Sequence, residues 1–328
     1  MKKILTGSSI ICRNGSMTFT LNRALNELVH HYDGFILDQF GVMHNGKDGL
    51  PGAVDCVHKL KSLNKKLIIL SNTSTTSQNT LAKLPKMGFD PDMFVGAVTS
   101  GEEASHYIRK IYGSGSDRKK AIWLTWNDIS TSNLFLSKCG NVEPTNNVKE
   151  ADFVIAHGSQ VMRGNTDDSD DVSLGSFMDD GDLSLIDPIL KRCHEQSLPM
   201  VCANPDMIVK VANGKTAYMP GKIAQKFEEI GGTCTNFGKP HRRHFEACLR
   251  ELQLDAHRVV HIGDSLHHDI AGASSAGISS IFVTGGIHSD FFDLPLGEMP
   301  TAEQIDALCE LEGHHVPFPT HVIPMFKF

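Results

Sequence analysis

Four short apolar runs, each joined to a stretch of helical periodicity, constrain this chain more than any other feature. "GFILD" (34–38), "KLIILSN" (66–72), "RVVHIGDS" (258–265) and "SSIFVTGG" (279–286) read as strands buried on both faces, each running into glycine, serine or aspartate. An amphipathic helix carrying Leu21, Leu25, Leu28 and Val29 precedes the first run. After "LPGA" a second helix puts Val54, Val57, Leu60 and Leu63 on one face. A third spans about 77–87, and "DIAGASSAG" makes a short one between the last two strands. Strands alternating with helices in this way predict a parallel α/β sheet. In such a sheet ligands sit beyond the carboxyl ends of the strands. Asp38, Ser71 and Asp264 all lie at such ends, although more than 200 residues separate the first from the last.

The middle of the chain differs in character. "AIWLTW", "DFVIAHG" and "PMVCANP" read as strands of a second sheet, so one insertion between two halves of the first sheet explains both observations. The divisions are an N-terminal lead-in (1–27), a discontinuous core (28–90 and 231–328) and an inserted α/β domain (91–230). At 328 residues the chain is long enough for two domains. Within the insertion, residues 163–184 hold seven aspartates. Counted from Asp167, the position where a calcium loop needs glycine is Val172, so this stretch reads as a solvated loop.

A formal charge of -7 leaves no basic footprint for nucleic acid or an anionic membrane. No apolar run approaches the roughly 18 residues that span a bilayer. The eight cysteines are scattered, mostly inside apolar stretches, which favours a reduced compartment and a cytoplasmic location. The first residues are basic and contain no acid before Glu27, a pattern compatible with organelle targeting or with a loose lead-in. The sequence is equally compatible with a homo-oligomer.

Four elements stand in order: Asp38 after a strand, Ser71-Asn72-Thr73 after a strand, "GKP" at 238–240, and "GDSLHHD" at 263–269. With the flanking strings "GLPGAVDCVHKLKSLNKKLIILSNTSTTSQ", "ANPD" and "TGGI", they resemble the haloacid dehalogenase (HAD) superfamily. The likeness is to its NagD-like, p-nitrophenyl-phosphatase branch, and outside the insertion it covers most of residues 34–105 and 200–290. The resemblance implies a Rossmann-like parallel-sheet core, with the insertion as a cap that closes over the site and excludes water. It also implies a small phosphorylated metabolite as substrate and Mg2+ as cofactor. Asp38 would attack phosphorus, Lys239 would screen the repulsion between the two anions, and Ser71 would donate to the phosphoryl oxygens. Asn72, Thr73, Asn204 and Asp206 would contact substrate. Asp38, the backbone carbonyl of Phe40 and Asp264 would hold the metal. Asp269 would hold the metal's water shell or Lys239. Taken singly, Asp38, Ser71 and Asp269 are cap or turn residues and Lys239 a surface lysine. Their conjunction carries the site reading.

Phe40 is the departure from the pattern. Most phosphatases of the superfamily have aspartate here, which protonates the leaving oxygen and then activates the water; such help contributes typically 10²–10⁴-fold. Phenylalanine keeps the carbonyl and drops the proton shuttle. Three readings follow. The first is a hydrolase that is slow or restricted to good leaving groups, unless another residue such as His44 assists. The second is a catalytically impaired pseudoenzyme that binds a phosphorylated ligand or a protein. The third is dehalogenase-type hydrolysis, which the metal motif "GDSLHHD" disfavours. The alternative for His44 is an exposed turn residue. Of the seventeen histidines, His241, His244, His267 and His268 lack the context of a zinc site. Arg242 and Arg243 form a basic lip or a solvated helix start.

Overall fold

The computed structural model describes residues 4–6, 9–14, 17–211, 215–313 and 316–328. The chain forms two compact units. One comprises Met1–Ser71, Leu81–Val98 and Lys239–Phe328, the other Asn72–Thr80 and Thr99–Gly238. The divisions thus fall at 71/72, 80/81, 98/99 and 238/239, where the sequence reading places them at 90/91 and 230/231.

The first unit is built on a nine-stranded sheet in the order Ile4–Thr6, Ser9–Asn14, Met17–Leu21, His321–Ile323, Ser279–Val283, Val259–Gly263, Gly34–Leu37, Lys66–Ser71, Ala97–Thr99. From Met17–Leu21 to Lys66–Ser71 every neighbouring pair is parallel. The core strands bury both faces, as their unbroken apolar runs require. Phe35, Leu37, Leu67, Ile69, Val260 and Ile262 pack with Val57 and Leu60 of the helix Ala53–Ser62. Ile36, Ile68, Leu70 and Val259 pack with Phe245, Cys248 and Leu252 of the helix Arg242–Leu252. Gly34–Leu37 lies between Lys66–Ser71, which follows it directly, and Val259–Gly263, which arrives after the long excursion. That reversal of direction is the switch point at which an open sheet forms its ligand crevice.

The N-terminal region departs from expectation. The helix read around Leu21, Leu25, Leu28 and Val29 is instead a strand, Met17–Leu21, followed by two 3-10 turns, Leu25–Glu27 and Val29–His31. The Asn22 and Leu25 amides donate to the Val322 and Lys327 carbonyls (2.9 Å each), so the C-terminal segment takes donors that a helix would have used. Residues 1–27 are therefore not merely a lead-in: three strands extend the sheet there. The targeting reading rests partly on residues 1–3, 7–8 and 15–16, which lie outside the described residues. Among the described residues, no helix is long and apolar enough to cross a membrane.

The second unit holds a seven-stranded sheet in which Lys119–Thr125, Phe153–Ala156, Met200–Cys202 and the edge strand Cys234–Asn236 run parallel. "AIWLTW", "DFVIAHG" and "PMVCANP" do form a sheet of their own. The acidic stretch, however, is more than a solvated loop. Arg163 is fully buried and gives Asp171 hydrogen bonds from Nε (3.1 Å) and Nη2 (3.0 Å). Leu174 and Phe177 are buried as well, and Phe177–Asp180 is a helical turn. The aspartates line the outside of a segment that two apolar side chains and one buried ion pair anchor.

Two histidines away from the switch point, His157 and His244, are buried and His321 is half-buried. Burial pulls His157 and His244 down to about 3 and His321 to about 4. His321 lies between Thr20 Oγ1 (2.7 Å) and the Tyr32 hydroxyl (2.8 Å). A histidine whose folded pKa lies below its unfolded value of ~6.5 binds fewer protons when folded. Its contribution is complete above pH ~6.5 and is lost as pH falls towards the folded pKa, by up to about 1.4 kcal/mol per pH unit. The raised Asp38 and Asp264 carboxyls act in the opposite sense, so the measurement is a difference: from pH 5.5 to 7.5, urea unfolding should show wild type gaining more stability, or losing less, than His321→Gln. An identical pH dependence in the two proteins would contradict the neutral state of His321.

Candidate active site

Asp38 follows directly on the strand Gly34–Leu37, and its amide donates to the Ile262 carbonyl at 2.9 Å, which locks the strand end to its neighbour. The chain then turns tightly. The Gln39 carbonyl accepts from the amides of Met43 (2.8 Å) and His44 (3.1 Å), and the Gly41 amide donates back to His44 (3.1 Å). Gly41 has φ +76°, and a Cβ there would overlap Asp264 Oδ2. Glycine meets both demands. A Cβ at Gly286 would likewise strike Asp264, so two glycines wall this carboxylate, and the Ile287 amide donates to its Oδ2 at 2.8 Å.

Lys239 is buried. Its Nζ lies 2.6 Å from Asp38 Oδ1 and 2.7 Å from Asp269 Oδ1, so the surface reading of this lysine does not hold. Asp38, Asp264 and Asp269 each offer a carboxylate oxygen within 4.8 Å of the others. Burial pushes the Asp38 carboxyl up to about 7, against the pull of Lys239. Burial raises Asp264 well above the ordinary carboxylate range, and Asp38 and Asp269 raise it further. Burial acts the same way on Asp269, but Lys239 and His261 outweigh it and hold that carboxyl below its usual range. For Lys239 burial opposes the charge, and Asp269 and Asp38 reverse this and hold the ammonium above the ordinary lysine value. The three carboxylates and one ammonium carry two excess negative charges when all are ionised. A small divalent cation with hard-oxygen preference fits that donor set.

Ser71 is buried at the end of the neighbouring strand Lys66–Ser71. The four residues expected to contact substrate belong to the second unit and stand together there. Asn72 Nδ2 donates to Asp206 Oδ1 (2.7 Å), and the Asp206 amide donates to Asn204 Oδ1 (3.0 Å). Ser100 Oγ bonds to the carbonyls of Thr73 (2.9 Å) and Ala203 (2.7 Å), which ties the two loops.

Phe40 is 37% exposed, its ring edge-on to His44 with centroids 4.9 Å apart. His44 is not the exposed turn residue of the alternative reading. It is buried, its Nδ1 accepts from the Gly46 amide at 3.1 Å, and burial lowers its pKa to about 4. An imidazole held in its neutral form by burial is a poor proton donor near pH 7, which weighs against His44 as a substitute acid. The sequence reading passed over His261, whose Nε2 lies 2.7 Å from Asp269 Oδ1. Its signal was a lone polar residue inside the apolar strand "VVHIG".

Residues 35–133 match the family model of haloacid dehalogenase-like hydrolases, and residues 236–310 match a second model, described as HAD-hydrolase-like. The chain is 24% identical to 4-nitrophenylphosphatase of Schizosaccharomyces pombe over 80% of this chain and 87% of that one. Its fold is similar to that of a haloacid dehalogenase-like hydrolase from Brucella suis (TM-score 0.68, 21% identity, 92% and 97% of the two chains). It is also similar to a glycerol phosphate phosphatase from Mycobacterium tuberculosis in complex with magnesium (TM-score 0.56, 18% identity, 83% and 74%). Matched by these models on both sides of its insertion, and with an aspartate at each strand end that forms the crevice, this chain belongs to the haloacid dehalogenase-like hydrolases, in the branch of the 4-nitrophenylphosphatases.

Proposed function

We propose that this chain is a Mg2+-dependent phosphohydrolase that acts on small phosphorylated molecules with good leaving groups, through an aspartyl-phosphate at Asp38. The observation that carries the reading is the 2.6 Å contact of Lys239 with an Asp38 carboxylate that shares its cluster with Asp264. An aspartate at a strand end is ordinary; one buried against a lysine and a second carboxylate is not, because unpaired buried charge is costly. The magnesium complex and the phosphatase named among the relatives support the same assignment.

Asp38, Asp264 and the Phe40 carbonyl would hold the Mg2+, which supplies charge neutralisation to the transferring phosphoryl group. Asp38 attacks phosphorus, the bond from phosphorus to the leaving oxygen breaks, and that oxygen departs with the electron pair. Water then attacks the aspartyl-phosphate, which frees Asp38 and inorganic phosphate. Lys239 offsets the repulsion between the carboxylate and the incoming anion, and Ser71 donates to a phosphoryl oxygen. Asn72, Thr73, Asn204 and Asp206 are assigned to substrate binding. With phenylalanine at position 40 that position offers no proton donor, so the leaving group would have to be stable as an anion.

Phosphate release from acetyl phosphate, p-nitrophenyl phosphate and a panel of sugar phosphates, with Mg2+ and after EDTA, tests the assignment. Metal-dependent turnover of the first two and slow release from the sugars is the expected pattern. No release from any of them, with Mg2+ binding shown by calorimetry, would replace it with the binding-only reading.

A further inference from the structure

His261 occupies the middle of a strand, Val259–Gly263, whose every residue is buried. Its neighbours on that face are apolar, among them Ile36, Ile68 and Phe245. The Phe245 ring stands edge-on to the imidazole, centroids 5.1 Å apart at 84°. A Cβ on Gly272 would overlap that ring, so Phe245 is itself confined. Nδ1 of His261 is buried and, among the described residues, has only the Ile36 backbone near it, without a well-formed hydrogen bond. An aliphatic residue here would avoid an unpaired polar atom in the core. What the histidine provides is its other nitrogen, 2.7 Å from Asp269 Oδ1.

The same oxygen meets Lys239 Nζ at 2.7 Å, and Asp269 Oδ2 accepts from the Ser265 amide at 3.0 Å. A Cβ on Gly263 would strike the Asp269 carboxylate, so the strand also gives way to it. The carboxylate thus receives a donor from the strand, one from the turn and one from the lysine. We infer that His261 is a positioning residue: its Nε2–H fixes Asp269, Asp269 fixes the Lys239 ammonium, and Lys239 sets the Asp38 carboxylate. Asp269 accordingly serves the lysine, with Lys239 and His261 on its Oδ1 and the Ser265 amide on its Oδ2. The inference rests on the function proposed above.

The test compares His261→Leu, which removes the donor, with His261→Gln, which keeps an N–H near the position of Nε2. With acetyl phosphate, His261→Leu should lower kcat roughly 100-fold, the scale on which a misplaced catalytic group acts, while His261→Gln stays within about fivefold of wild type. Mg2+ affinity, read by calorimetry, should be the same in all three proteins. Wild-type kcat in His261→Leu, or an equal loss in both variants at matched melting temperatures, would overturn the inference. So would loss of Mg2+ binding in either variant. A double-mutant cycle with Asp269→Asn gives a second arm: sub-additive losses are expected, and additive losses would show that the two residues act separately. Should wild-type enzyme release no phosphate, the phosphohydrolase reading fails. The same variants are then compared by binding of beryllium trifluoride with Mg2+, a mimic of the aspartyl-phosphate. Equal affinity in wild type and His261→Leu would sink the positioning role there too.

Discussion

Asp38→Asn should abolish metal-dependent phosphate release and, in EDTA, leave a protein at least as stable as wild type. The two effects share one cause. Asparagine nearly preserves the shape of the side chain but is no nucleophile, so the covalent step is lost; losses of order 10⁶-fold accompany removal of such groups in other hydrolases. The same change removes one charge from a buried set in which Asp38 and Asp264 already repel each other. Burial raises the folded-state pKa of Asp38 to about 7, above the unfolded value of ~3.9. A carboxyl shifted in that direction favours the folded state while protonated, and this contribution is lost as pH rises from ~4 through 7. The stability gap between Asp38→Asn and wild type should therefore widen in favour of the variant between pH 5 and 8. Mg2+ should narrow it by binding the wild type better. Thermal melts at pH 5 and 8, with EDTA or Mg2+, give all four comparisons. A variant less stable than wild type at pH 8 in EDTA would mean that the Lys239 contact outweighs burial and the neighbouring acids, and that the site is not under the electrostatic load argued here.

Much of this site was legible because its residues sit where a periodic pattern ends. Apolar runs of four or five residues announce strands, and the polar residue that closes each one is thereby assigned to a sheet edge. That is enough to bring Asp38, Ser71 and Asp264 together across 200 intervening positions. The insertion was visible for the same reason, as strands that belong to no part of the first pattern. What the pattern could not reveal was the direction in which charged side chains point. Taken alone Lys239 reads as a surface residue, and only its place among the other motifs assigned it to the site; the facing pair Asp38 and Asp269 makes its burial tolerable. His44 failed in the opposite way: the turn "MHNG" suggests exposure, but the tight hydrogen bonding of residues 39–44 folds the imidazole inward. The helix read over residues 21–32 was lost to backbone pairing with residues 322 and 327, partners too distant in sequence for local periodicity to weigh. The acidic stretch misled because its composition is that of a solvated loop, whereas Arg163, Leu174 and Phe177 anchor it and its backbone pairs with the strand Val161–Arg163.

Phe40→Asp should raise kcat for alkyl and sugar phosphates by about 10² to 10⁴-fold, the range that positioned acid–base help supplies. Four observations make the change tolerable and the gain specific. The ring is partly exposed, so its removal empties no enclosed core site. The proposed metal contact at this position comes from the main chain, which the substitution keeps. The turn that carries residue 40 is fixed by backbone hydrogen bonds of Gln39, Gly41, Met43 and His44, none of which involves the ring. Finally, the new carboxylate would lie two residues from Asp38, and nearby acids raise a carboxyl's pKa, which suits a proton donor near neutral pH. Acetyl phosphate should change little, because its leaving group departs as a stable carboxylate with or without a proton. The ratio of kcat on a sugar phosphate to kcat on acetyl phosphate is therefore the measurement, and it should climb by the full factor. A ratio that stays fixed while acetyl phosphate turnover persists would show that the phenylalanine is not what limits the enzyme to good leaving groups. The restriction would then lie in how the organic part of the substrate is held, and the polar cluster of Asn72, Asn204 and Asp206 would be the place to look.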